Sequence, residues 1–149
     1  MSAFNHMNSY LRFCINHAHD QEVRGKVFSQ RFTHPVEFSD LGNLVLFLED
    51  VFDLQNYPQA FQSTRTIVES KTDMSCVAKE PGGGMTPPVV RAARGSVATF
   101  DVLVTSRRSS TWQGSVEWLP GGENQSFSSY LELMHLIHDQ LFPKNDQTN

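Results

Sequence analysis

Residues 100–142 read FDVLVTSRRSSTWQGSVEWLPGGENQSFSSYLELMHLIHDQLF, and this stretch decides the fold. Phe100, Val102 and Val104 alternate with Asp101, Leu103 and Thr105, the two-residue period of a strand with one face in a core. Ser106 to Ser110 reads as a polar hairpin connection. Trp112, Gly114, Val116 and Trp118 then alternate with Gln113, Ser115 and Glu117 as a second strand. Pro120-Gly121-Gly122 predicts a tight turn, and Asn124 to Phe127 a short third strand. Ser129 and Glu132 have the spacing of a capping box, in which each residue satisfies a free backbone donor at a helix start. Tyr130, Leu133, Met134, Ile137 and Leu141 follow at helical spacing, and Pro143 ends the run.

The same pattern occurs earlier in the chain. A shift of 89 positions, the separation of Gly25 from Gly114, aligns the two without gaps. Val27 meets Val116, Phe38 meets Phe127, Leu44 meets Leu133 and Asp50 meets Asp139. Apolar positions coincide too, as with Leu11 and Phe100, Phe13 and Val102, or Val45 and Met134. One register thus preserves both a strand period and a helix period. The first copy has strands near Leu11–Asn16, Val23–Ser29 and Pro35–Phe38, with His17 to Glu22 as a loop. Its helix runs from about Asp40 to Asp53, with Leu41, Leu44, Val45, Leu48, Val51 and Phe52 on the buried side.

The expected fold class is therefore α+β. Tandem duplicated βββα units would form a mainly antiparallel sheet, with two helices packed on one face. A single unit is too small to cover its own apolar surface, so the two would share a core. Pairing across a homodimer would answer the same need. The expected organisation is residues 1–55 as the first unit, 56–98 as a connector, 99–143 as the second unit and 144–149 as a disordered tail. The connector's centre, Glu80-Pro81-Gly82-Gly83-Gly84-Met85-Thr86-Pro87-Pro88, predicts flexible chain without regular structure.

Composition narrows the function. The chain has 149 residues, of which 39% are hydrophobic and 19% charged, so it can bury a core. A net charge of −4 argues against non-specific binding to a nucleic-acid backbone. No apolar stretch suggests a signal peptide or a membrane span, which points to the cytoplasm and away from a membrane partner. Cys14 and Cys76 are too few and too scattered for a disulfide framework or a zinc site.

The run Thr111-Trp112-Gln113-Gly114-Ser115-Val116-Glu117-Trp118, followed by Phe127-Ser128-Ser129-Tyr130-Leu131-Glu132-Leu133, carries a resemblance. With Pro58-Gln59-Ala60 after the first unit, it is similar to a family of small uncharacterised proteins from clostridia and related Firmicutes. The resemblance implies a bacterial or mobile-element accessory protein and supplies no catalytic residues.

No motif for chemistry stands out. His17 and His19 lie near Asp20 and Glu22, and His135, His138 and Asp139 share helical spacings. Neither group has a third ligand at a recognised metal spacing, so solvated polar residues are expected, with no metal and no cofactor. No nucleophile elbow, phosphate loop or paired Cys and His is present, so no catalytic residue and no enzyme activity are expected.

Two binding features remain. Arg12, Arg24 and Lys26 alternate outward on the first unit's strands, opposite the apolar face. Trp112 lies at a hairpin mouth beside Arg107 and Arg108. Trp112 shares the parity of Gly114, Val116 and Trp118, which favours a core position; an exposed anchor is the alternative. The leading expectation is a non-enzymatic protein-binding module, a mobile-element accessory protein or an inhibitor of a host defence system such as a CRISPR nuclease. The alternative is a nucleic-acid or nucleotide binder using Arg12, Arg24, Lys26, Arg107, Arg108 and Trp112.

Overall fold

Alternating strands make one antiparallel sheet of six. In the computed structural model, which describes residues 4–59 and 74–143, these are β1 (Leu11–His19), β2 (Glu22–Phe28), β3 (Val36–Phe38), β4 (Ala98–Ser106), β5 (Gln113–Leu119) and β6 (Glu123–Phe127). Their spatial order is β3-β2-β1-β4-β5-β6. Helix α1 (Leu41–Gln55) follows β3, a short α2 (Pro87–Ala92) precedes β4, and α3 (Tyr130–Leu141) follows β6. The expected tail 144–149 and connector residues 60–73 lie outside the described residues.

The register repeats along the chain. Cys14 pairs with Lys26 and Gly25 with Phe38; Leu103 pairs with Ser115 and Gly114 with Phe127. The ladder slips between Ile15 and His17 and again between Val104 and Ser106. Left-handed residues turn the chain at Asp20-Gln21 and at Ser109-Ser110. Each of these features is displaced from its counterpart by the same interval that separates Arg12 from Asp101, 89 residues. Arg12 and Asp101 face each other across the β1–β4 seam. The expected loop His17–Glu22 shrinks to the Asp20-Gln21 turn as β1 extends to His19, a turn made by two left-handed residues without glycine.

Both long helices start on side-chain caps. Asp40 is extended and accepts from the Gly42 N–H at 3.0 Å. Ser129 accepts from the Glu132 N–H at 3.0 Å. The Glu132 carboxylate reaches one residue further back than the usual box, to the Ser128 N–H at 2.6 Å. Asn56 closes α1 in the left-handed region at φ 55°.

One sheet face carries the core. Leu11, Phe13 and Ile15 of β1 and Phe100, Val102 and Val104 of β4 join a buried cluster with Leu44, Leu48, Val51 and Phe52 of α1 and Leu133 and Ile137 of α3. An aromatic row crosses this face: Phe38 to Phe13 at 6.0 Å, Phe13 stacked on Phe100 at 5.1 Å, and Phe100 on Trp118 at 4.8 Å. Burying each such ring contributes roughly 1.5–3 kcal/mol, so this row outweighs any polar contact in the fold. Gly25 and Gly114 sit where the neighbouring strand's backbone comes close, against the carbonyls of Cys14 and Leu103, and leave no room for a Cβ.

The opposite face is covered as well, which corrects the expectation of an open basic surface there, and regular structure begins at Pro87 where none was expected. The connector is tied down on either side of its glycines, with Ala78 N–H donating to Arg31 O at 2.8 Å and Met85 N–H to Phe32 O at 2.7 Å. Pro87 and Pro88 open α2, because a helix's first turn needs no backbone donor from proline. The chain after α2 then lies over β1 and β4. Arg12 donates from Nη1 to the carbonyls of Arg91 (2.8 Å) and Ala93 (3.3 Å) and pairs with Asp101 at 2.5 Å. Arg12, expected on an open basic surface, is therefore buried, as is its neighbour on that face, Cys14.

Candidate functional site: a groove between the two long helices

Of the expected contact residues, the sequence-favoured core reading holds for Trp112, which is 1% exposed. Its indole N–H donates to Glu49 of α1, and its ring meets Phe52 edge-on at 5.1 Å and Tyr130 at 5.9 Å. Arg107 is 4% exposed, against the expectation of a surface contact. It donates from Nε to the Pro58 carbonyl at 2.7 Å and pairs with Asp53 at 2.8 Å and Glu49 at 3.5 Å. A buried guanidinium needs such partners, and α1 supplies them. Arg108 remains exposed, its N–H donating to Gln113 at 2.9 Å.

Arg24 and Lys26 stay accessible on the sheet face away from the core. Each faces an acid: Arg24 pairs with Glu22 at 3.0 Å and Lys26 approaches Glu37 at 3.9 Å. With Arg12 held by Asp101, each of these three strand cations has a carboxylate beside it. The six residues thus form no single patch. Arg12, Arg107 and Trp112 are interior, while Arg24 and Lys26 lie on β2 and Arg108 in the β4–β5 loop.

Two buried groups are tuned by their surroundings. Burial pushes the Cys14 thiol up to about 11, so it stays protonated and inert at neutral pH. Arg31, 1% exposed, is pulled down to about 9 by burial, with Tyr57 holding it up and Arg107 pressing it down. It donates to the carbonyls of Ser9 (2.9 Å) and Tyr57 (3.0 Å) and to Gln55 Oε1 (2.8 Å), and lies 4.7 Å over the Phe52 ring. These contacts tie the N-terminal segment, β2's exit and the end of α1 together. Among the described residues, no group of three His, Cys, Asp or Glu is placed to hold a metal ion.

A further surface with exposed apolar side chains lies on the helix side. Asp40, Gly42, Val45, Leu46 and Glu49 of the α1 segment and Tyr130 and Met134 of α3 line a groove of about 540 Å³. Leu46 is 66% exposed and Tyr130 37%. Gly42 lacks a side chain and opens one wall. No Lys or Arg lines the groove, and neither α1 nor α3 contains one. Sequence reasoning placed Val45, Tyr130 and Met134 on buried stripes. The available signal was Leu46, an apolar residue off the stripe of α1.

Comparison with protein-family models finds no match, and comparison with curated proteins and with solved structures finds no significant match. Among the described residues, no helix is long and apolar enough to cross a membrane.

Proposed function

We propose that the protein is a non-enzymatic protein-binding module built from two duplicated βββα units, with both long helices on one sheet face and the partner seated in the groove between them. The observation that carries the binding reading is the groove, an apolar surface with Leu46 and Tyr130 exposed and acids at its rim. Apolar side chains exposed along a concave surface suit the apolar face of a partner. The constant 89-residue displacement of registers, bulges and turns supports the duplication. On this reading the groove lies where equivalent residues of the two units, Val45 and Met134, approach each other. The role is that of a cytoplasmic accessory protein of a mobile element, with inhibition of a host defence enzyme as one instance.

A nucleic-acid reading has less support, because Arg24 and Lys26 face Glu22 and Glu37 and Arg12 and Arg107 are buried. The test is affinity purification from the native host, with mass spectrometry, using the wild-type chain and Leu46→Asp side by side. The expected result is a stoichiometric protein retained by the former and lost by the latter. Binding to DNA or RNA at low salt, unaffected by Leu46→Asp, would overturn the proposal.

A further inference from the structure

The geometry points to a basic amphipathic helix of a partner protein as the occupant of the α1/α3 groove, an inference that rests on the protein-binding reading. The shape comes first. The groove runs between two helices, and its apolar lining of Val45, Leu46, Tyr130 and Met134 suits one apolar helix face laid along it. Backbone donors and acceptors of an inserted helix are satisfied internally, so an apolar groove need not supply any. An inserted strand would instead need partners that side chains of this kind do not offer.

Charge selects the rest. Asp40 and Glu49 stand at two places on the rim, nine residues apart along α1. That is about 13 Å at helical rise. The helices also carry Asp50, Asp53, Glu132 and Asp139, with no Lys or Arg in either. Arg107 offsets part of this charge from beneath, through Asp53 and Glu49. Asp40 caps α1 and Glu49 accepts the Trp112 indole N–H, so the rim keeps two hydrogen-bonded carboxylates and no cation of its own around an apolar floor. A partner helix would answer it with Lys or Arg about two and a half turns apart and apolar residues at i, i+3 and i+4 between them. A second copy would bring the same acidic helices against this face and be repelled. A nucleic acid or an anionic lipid surface meets the same repulsion.

The test is a selection of randomised peptides of about sixteen residues, long enough for about four helical turns, on the full chain, followed by affinity measurement on Leu46→Lys. Leu46 is exposed, so the folded state tolerates the change, and circular dichroism checks this. The expected result is enrichment of helical peptides with Lys or Arg beside an apolar stripe. Their affinity should fall at least about tenfold with Leu46→Lys and fall with rising salt. Enrichment of acidic or extended peptides that still lose affinity with Leu46→Lys would overturn the basic-helix inference and leave the groove standing as a protein site. Binders indifferent to Leu46→Lys would overturn both. Failure to enrich any peptide would overturn the inference.

Discussion

The two faces of the sheet are covered by different means. The core face is packed with rings and aliphatic chains, from Phe38 through Phe13 and Phe100 to Trp118. The opposite face is closed at its centre by the short chain around α2, over Arg12, Cys14 and Asp101. The first face gains from area, which tolerates small errors of position. The second depends on a few polar partners, each of which is costly to lose. The faces should therefore fail differently when mutated.

The largest effect is expected on the apolar side. Trp112→Ala removes a fully buried ring beside Phe52 and Tyr130 and leaves Glu49 without its indole donor. A loss of about 4 kcal/mol is expected, read from urea unfolding. A change under about 1 kcal/mol would mean that this corner is not part of the core.

Next comes Arg12→Ala, which leaves Asp101 partly buried and the Arg91 and Ala93 carbonyls without their donor. Burial works against the Arg12 charge, but hydrogen bonding and attraction from Asp101 outweigh it and hold the guanidinium above its ordinary value. The expected cost is about 3 kcal/mol, and a double change to Met at 12 and Leu at 101 should recover most of it. If the double variant is as unstable as the single one, the covering chain depends on the carbonyl contacts and not on ion pairing.

Cys14 gives a smaller, pH-dependent effect on the same face. Its folded thiol holds its proton up to about pH 11, against 9.0 for the ordinary value. The folded state then binds the extra proton, so this contribution is complete below pH 9.0 and is lost as the pH rises toward about 11. Unfolding free energies should fall on the order of 2 kcal/mol over that window, and Cys14→Ala should flatten the fall. At neutral pH, a thiol reagent should label Cys76 well before Cys14; equal rates would show that the chain over β1 opens readily.

Lys26→Ala should change stability least. Its pairing with Glu37 spans 3.9 Å with both side chains solvated, and screening leaves such pairs within about 0.5 kcal/mol. A larger loss, seen as a clear drop in Tm, would mean that β3 is held by charge more than by Phe38.

How much of this was legible varies by residue. Val23, Val27, Val102 and Val116 announced the core face by alternation, and Asp40 and Ser129 announced the helix starts. Alternation also put Arg12 on the face away from the core, correctly as to side. It could not show that Arg91 and Ala93 would lie over it, because those contacts span about 80 residues of chain. Arg107 was misread for the same reason: its partners Asp53 and Glu49 belong to a distant helix. The groove was missed because Val45 and Met134 fit a buried stripe, and no periodicity tells how closely two helices approach.

By itself, the sequence determined the strands, the two long helices and the side of each strand that faces oil, since these follow from local periods and caps within a few turns of chain. The tertiary structure decided which charges are buried, where residues 74–98 lie and how wide the helix groove opens. Those depend on which distant segments meet, and the cost of burying a charge or the gain from an exposed ring is set by neighbours that no local pattern names.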